Sequence, residues 1–256
     1  MHDFRFLSKN CGSIPLFHQR RPLPCLFLFA LLALVMACSG PLSYAIGAEL
    51  LEVRVGIYDN PPKLSNGTQG QPRGIFPEIL KEIAQEENWR LRWIPGTWEQ
   101  GLARLESGEI DVMPDVADSL DRAKKYQFSE EPVMVNWAVL YTRSGLHVDS
   151  LLDLASKKVA VMRGSIHTDS PEGIKMQVRA FNISSEFIEF DSYNEVFLAL
   201  QNNMADVGVV NRLYGLTAQK LYDVTPTPVV FDSRLLKFAF PRHGKQTAFL
   251  KKKHAA

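Results

Sequence analysis

The stretch that decides the fold runs Asp111-Val-Met-Pro-Asp-Val-Ala-Asp-Ser-Leu-Asp-Arg-Ala-Lys-Lys-Tyr-Gln-Phe128. Ile110 to Met113 is a short apolar run suited to a buried strand, and Pro114, with no N–H for a sheet ladder, is expected to end it. Asp118 and Ser119 have helix-starting character ahead of Leu120 to Tyr126. Arg122 is thus predicted in the first turn of a short helix, just beyond the carboxyl end of a strand. Open α/β sheets bind ligands outside that end. A buried arginine there can hold a carboxylate with two parallel hydrogen bonds. The competing reading is a surface ion pair of Arg122 with Asp118, Glu130 or Glu131, which stabilises little.

Working outward, alternation of apolar and polar residues predicts a strand over Leu51 to Tyr58, and Asp59-Asn60-Pro61-Pro62 ends it in a loop. Ile75, Ile79, Leu80 and Ile83 recur at helical spacing within Gly74 to Trp89, and Arg90 to Ile94 is a second strand. Thr97 is a plausible N-cap for Trp98 to Ser107, with Gly108 as the stop. Strands alternating with helices predict a parallel sheet flanked by helices. Val133 to Tyr141 is a long apolar strand, after which the pattern restarts with strands at Lys158 to Met162, Glu186 to Phe190 and Asp206 to Val210. Separate strands are expected at Pro226 to Phe231 and Leu235 to Phe240. The expected architecture is α/β with two lobes and a cleft between them: lobe 1 over 49–141, lobe 2 over 142–230, and a return to lobe 1 over 231–256 that looks truncated.

Residues 1–48 have a different character. Arg20 and Arg21 precede the 13-residue apolar run Cys25 to Ala37, within the roughly 7–15 residues of a signal-peptide core and short of the roughly 20 that span a membrane. Ser43 and Ala45 offer a cleavage site, and Cys38 a weaker lipoprotein alternative. The expected product is exported to the periplasm. All three cysteines (Cys11, Cys25, Cys38) lie in this leader, so cleavage leaves a body without disulfides or thiolate chemistry. Residues 1–45 carry Arg5, Lys9, Arg20 and Arg21 against Asp3, so the formal charge moves from +1 to −2 on cleavage. No basic stripe suggests nucleic acid. His147, His167 and His243 lack metal-ligand spacing and are expected at surface or hinge positions.

Glu52–Gly56, Gly74–Glu78, Trp98–Asp111, Asp121–Ser129, Lys157–Ser165 and Phe190–Val210 follow one another in a familiar order and spacing. The chain resembles the family 3 extracellular solute-binding proteins, a two-lobed type II periplasmic binding fold. Met113–Tyr141 looks closest to the sensor-type binding domains of histidine kinases and diguanylate cyclases. The resemblance implies that Arg122 clamps a ligand carboxylate, with Gly164 and Ser165 of lobe 2 offering backbone N–H groups and a hydroxyl to the same anion. The alternative for that pair is a turn and helix cap. Amino-acid-binding members usually hold the ligand ammonium with an Asp where this chain has Asn211, and usually carry Thr or Ser where it has Ala117. Asn cannot supply a negative charge, so the implied solute is a small anion. Asp115 and Tyr58 complete the expected ligand set, with Trp137, which either lines the cleft or packs at the lobe junction beside Tyr141. Trp98, Leu102 and Leu105 are expected in the core.

No cofactor or metal is implied. The implied protein is a monomeric, non-catalytic binder of a small molecule, serving either an ABC transporter membrane component or a signalling module. The alternatives are an enzyme on the same scaffold (a dehydratase or murein-cleaving type) and a truncated piece of a membrane sensor kinase or diguanylate cyclase.

Overall fold

The computed structural model describes residues 50–68 and 70–243. The leader, its cleavage sites and the tail beyond His243 lie outside the described residues. Strand β1 (Leu51–Ile57) pairs in parallel with β2 (Trp89–Pro95) through helix α1 (Ile75–Glu86). Helix α2 (Trp98–Ser107) follows, capped as its sequence predicts. Thr97 Oγ1 accepts the Gln100 N–H at 3.2 Å, Gln100 Oε1 accepts the Thr97 N–H at 3.0 Å, and Gly108 ends the helix in the left-handed region. Val53, Val55, Phe76, Leu80 and Val112 pack as one core. Phe76 is fully buried, a burial that stabilises by about 1.5–3 kcal/mol.

The third strand differs from expectation. Ile110 to Val112 is buried but makes only one parallel bridge, Val112 to Val55. Strand β3 is Met113–Ala117 and passes through Pro114. The register against the last strand, β9 (Val224–Pro241), shifts between Met113 and Val116, so Pro114 sits in a bulge, where its missing N–H breaks no ladder. Helix α3 (Leu120–Lys125) starts on Ser119, and β4 (Tyr126–Phe128) pairs with β9.

Strand β5 (Met134–Arg143) leads into the second group: β6 (Lys158–Met162), α4 (Ile166–Asp169), α5 (Ile174–Ala180), β7 (Glu186–Phe190), α6 (Tyr193–Gln201), β8 (Val207–Asn211) and α7 (Arg212–Ala218). Parallel β6–β7 and β6–β8 pairs form here around Leu140, Val159, Val161 and Val209. One strand, β9 (Val224–Pro241), replaces the two expected at the end. It runs antiparallel to β5, with register shifts between Asn136 and Ala138 and between Val139 and Tyr141. The larger sheet has the order β3-β9-β5-β8-β6-β7, so β5 and β9 belong to both α/β groups. Between them Tyr141 is 1% exposed and meets the Phe197 ring at 5.0 Å. Tyr141 therefore packs at the junction. This is the two-lobed type II architecture, and no helix among the described residues is long and apolar enough to cross a membrane.

Candidate functional site

Two loops and one bulge bring the site's first charges together. After β1, the chain turns tightly from Asn60 to Leu64, whose backbones exchange hydrogen bonds at 2.9 and 3.2 Å. The first N–H groups of α1 then hold this turn: Ile75 donates to Pro62 O at 3.3 Å and Phe76 to Lys63 O at 3.0 Å. Gly74 precedes them at φ 118, and a Cβ there would lie 2.6 Å from Lys63 O, so only glycine admits this approach. The turn aims Lys63 inward. The bulge in β3 places Asp115 at φ 61, a region Asp tolerates better than most residues, and aims its carboxylate at Lys63.

Lys63 Nζ lies 2.6 Å from Asp115 Oδ1, with the side chains 4% and 0% exposed. Tyr58 Oη donates to Asp115 Oδ2 at 2.6 Å and Asn60 Nδ2 donates to the same oxygen at 2.8 Å. Burial pulls the Lys63 ammonium below its ordinary pKa while Asp115 pulls it back up. Burial also raises the Tyr58 hydroxyl well above its usual value, helped by the Asp115 charge. A chain of amides continues across the cleft. Asn211 Nδ2 donates to Asn60 Oδ1 at 2.8 Å, and Asn136 Nδ2 to Asn211 Oδ1 at 3.0 Å. Its direction is fixed at both ends, because Asp115 can only accept and the Tyr214 N–H can only donate, to Asn211 Oδ1 at 3.1 Å. Asn136 Oδ1 is left buried without a hydrogen-bond partner among the described residues.

Arg122 is placed differently. Ser119 Oγ accepts its backbone N–H at 3.2 Å. The guanidinium lies 5.2 Å from the Trp98 ring centroid. It donates to Ala117 O at 3.2 Å and, across the cleft, to Gly164 O at 3.3 Å. Asp118 is engaged with Lys237 at 3.2 Å, and Arg122 has no carboxylate within ion-pair distance among the described residues. The surface-pair reading therefore fails. Burial lowers the guanidinium's pKa, yet arginine keeps its charge at any physiological pH.

Lobe 2 faces these groups with the turn after β6. Gly164, at φ 67, turns its carbonyl to lobe 1, where Trp98 Nε1 also donates to it at 2.9 Å. This differs from the expected N–H contribution: the Ser165 N–H is held by Met162 O at 3.2 Å. Ser165 Oγ caps α4 through the His167 N–H at 3.3 Å and lies 3.4 Å from Tyr193 Oη. Burial pushes Tyr193 up to about 12. His167 is buried, not at the surface, because its Nδ1 reaches the fully buried Asp232 carboxylate at 2.8 Å. Burial, then, lowers the imidazole pKa against the pull of Asp232, and the Lys63 and Arg122 charges act in the same downward sense as burial. Arg234 pairs with Asp232 and Glu172.

Tyr58, Asp115, Ala117, Arg122, Ser165 and Asn211, grouped by the sequence reading, line one inner cavity of about 30 Å³. That is about one water's share of liquid volume. Gly164 stands at its rim, on an outer cleft of about 440 Å³ that shares Arg122, Ser165 and Ile166 with it. Trp137 lies elsewhere: its ring packs under the Arg212 guanidinium at 4.7 Å and is absent from both linings. Trp98, expected as core alone, also lines the inner cavity, its ring tilted against that of Tyr58 with centroids 5.0 Å apart. Lys63, Asn136, His167 and Tyr193 were not singled out for this site, yet they line it, as does Asn60 of the loop after β1. Among the described residues no His, Asp and Glu cluster is arranged to hold a metal ion.

A probable histidine-binding protein of Campylobacter jejuni is 22% identical over 163 residues, 63% of this chain and 60% of that protein. A glutamine-binding protein of a Bacillus subtilis ABC transporter is 24% identical over 173 residues, 64% of this chain and 60% of that protein. The chain thus spans about 60% of the length of these relatives. A histidine kinase sensor domain with similarity to periplasmic binding proteins superposes with a TM-score of 0.68 at 20% identity, over 81% of this chain and 87% of that one. Residues 53–236 match the bacterial extracellular solute-binding proteins, family 3, and the chain belongs to that family.

Proposed function

We propose that the chain is a non-catalytic periplasmic receptor that closes its lobes on a small organic anion. The observation that carries this reading is Arg122, a half-buried cation facing the cleft with carbonyls and an aromatic ring for partners and, among the described residues, no carboxylate. A ligand carboxylate supplies the missing charge in the two-pronged geometry arginine favours. Ser165 stands across the cleft from it, so a bound anion touches both lobes only when they are closed, and its binding draws the closed state. The inner cavity is too small for an organic solute, so entry from the outer cleft replaces the Arg122 bond to Gly164 O. Small-solute recognition is supported by the histidine- and glutamine-binding relatives. A negatively charged solute is our inference from the unpaired Arg122 and from Asn211.

Residues 1–48 are proposed to direct export, with cleavage near Ala45. Delivery to an ABC transporter membrane component is supported by the glutamine-binding relative. Reporting to a signalling module is supported by the sensor-domain likeness. The His167–Asp232 pair favours one second reading, a general base acting on the bound compound. Product formation that disappears in His167→Gln would establish it.

Mass spectrometry of the compound carried by protein from its native periplasm identifies the ligand. Titration calorimetry with that compound is expected to show Arg122→Ala weakened by about 30-fold to several thousandfold. Arg122→Lys should recover part of the loss. An unchanged affinity in Arg122→Ala removes the reading.

A further inference from the structure

A carboxylate on Arg122 leaves two groups of the inner cavity unused. The first is the Asp115 carboxylate, the one anion of lobe 1 that faces it. Asp115 is fully buried and already takes hydrogen bonds from Lys63, Tyr58 and Asn60. Lys63 neutralises it, and Arg122 adds an uncompensated positive charge nearby. A ligand ammonium would meet two cations and no free carboxylate there, with Asn211 unable to supply one. The second group is Asn136 Oδ1. It is buried and unpartnered, and its orientation is fixed by the amide chain that begins at Asp115 and ends at the Tyr214 N–H. An orphaned acceptor in a site of this size calls for a neutral donor.

We propose that the ligand is a small hydroxycarboxylate without an ammonium group: its carboxylate on Arg122, its hydroxyl donating to Asn136 Oδ1, and Lys63 filling the place at Asp115 that an ammonium would need. This rests on the carboxylate reading of Arg122. The hydroxyl selects against the bare acid, and the lysine excludes the amino acid.

Matched acids test it directly by calorimetry on the purified protein. Suitable sets are lactate, alanine and propionate; malate, aspartate and succinate; 3-phenyllactate, phenylalanine and 3-phenylpropionate. In the best-fitting set the hydroxy acid should bind about tenfold tighter than the bare acid, and at least about a hundredfold tighter than the amino acid. Asn136→Ala should bring the ratio of hydroxy-acid to bare-acid affinity down to about one, whatever it does to both affinities together. Lys63→Met should shift selectivity toward the amino acid, because it frees the Asp115 charge. Should that variant not fold, the wild-type ranking still decides. A wild-type preference for the amino acid overturns the inference and leaves the anion reading standing. Equal binding of hydroxy and bare acids overturns the hydroxyl assignment. Failure of every acid to bind at millimolar concentration overturns both.

Discussion

Arg122 and Lys63 reach the same cavity from the same lobe, and the fold treats them in opposite ways. Lys63 is 4% exposed, 2.6 Å from a carboxylate that is itself fully buried. Arg122 is half-buried, rests on two carbonyls and a ring, and has no carboxylate beside it among the described residues. Desolvating a charge is costly unless a partner compensates, so the lysine side of the cavity is complete in itself. The arginine side is complete only with something added. That difference separates structure from reception within one cavity: one cation builds the site, the other is left for what enters it.

The separation has a consequence for stability. Asp115→Ala would leave the Lys63 ammonium buried without its partner. Breaking a buried pair in this way typically costs about 3–5 kcal/mol. Arg122→Ala removes no ion pair and should lower stability by only about 0.5–1 kcal/mol, while abolishing most ligand affinity. Urea denaturation of both variants checks the contrast. Equal losses would mean that the two cations are not distinguished as their surroundings suggest.

The next test uses pH, and sharpens the comparison by adding a third basic group. Neutral His167 donates its Nδ1 proton to Asp232, and burial holds the imidazole below its ordinary value. The unfolded chain takes up a proton as pH falls through about 6.5, whereas the folded chain resists. Stability from this site is therefore full above that pH and is lost as pH falls through the depressed folded value. Asp232 adds a later acid loss. Burial alone would raise its pKa, but the His167 hydrogen bond and the Arg234 charge outweigh burial and hold it low. Melting temperatures followed from about pH 7.5 to about pH 5 should fall for the wild type. His167→Gln, which cannot titrate, should flatten that limb. A wild-type midpoint that stays level over this range would show that the imidazole is not held neutral.

How much of this was legible follows from what each feature leaves in sequence. Apolar periodicity marks β1, α1, β5 and the β6–β8 group because each repeats its signal over several residues. The bulge at Pro114 and Asp115 does not repeat: it depends on the register of β9, more than a hundred residues away, so the strand was expected to stop where it continues. In the same way β9 reads as two strands because the polar residues Asp232 and Ser233 break its apolar pattern, where the chain runs on as one strand with Asp232 at φ 51 and a register shift against β5. Arg122 stood out through its place after a strand and at a helix start. Lys63 left no mark, since its meaning comes from Asp115, 52 residues on. Asn136 left one faint sign, a polar residue inside the apolar run Val133 to Tyr141. Trp137 beside it lies near the crossing strand and so could line the cleft, but adjacent strand residues point to opposite faces, and the cavity lies on the asparagine's side.

The smallest expected effect concerns the lobe-to-lobe contact that Arg122 shares. Trp98 Nε1 donates to Gly164 O at 2.9 Å, and Arg122 donates to the same oxygen at 3.3 Å. If Arg122 turns to a ligand, Trp98 keeps or yields its own bond depending on how far the lobes part. Trp98→Phe keeps an aromatic ring near Tyr58 and the guanidinium but deletes the N–H together with part of the buried indole, so the hydrogen bond is read from the difference between the effect on ligand affinity and the effect on stability. One neutral hydrogen bond is worth about 0.5–1.5 kcal/mol, or roughly two- to tenfold in affinity. If the bond persists in the liganded state, the closed form weakens and affinity falls by that factor, mainly through faster dissociation. If the bond exists only in the unliganded closed form, the variant opens more readily and affinity rises instead, because less must be broken on entry. Stopped-flow dissociation together with calorimetry separates the two. The sign of the change then says whether the Gly164 carbonyl belongs to Arg122's resting partners or to the bound state as well.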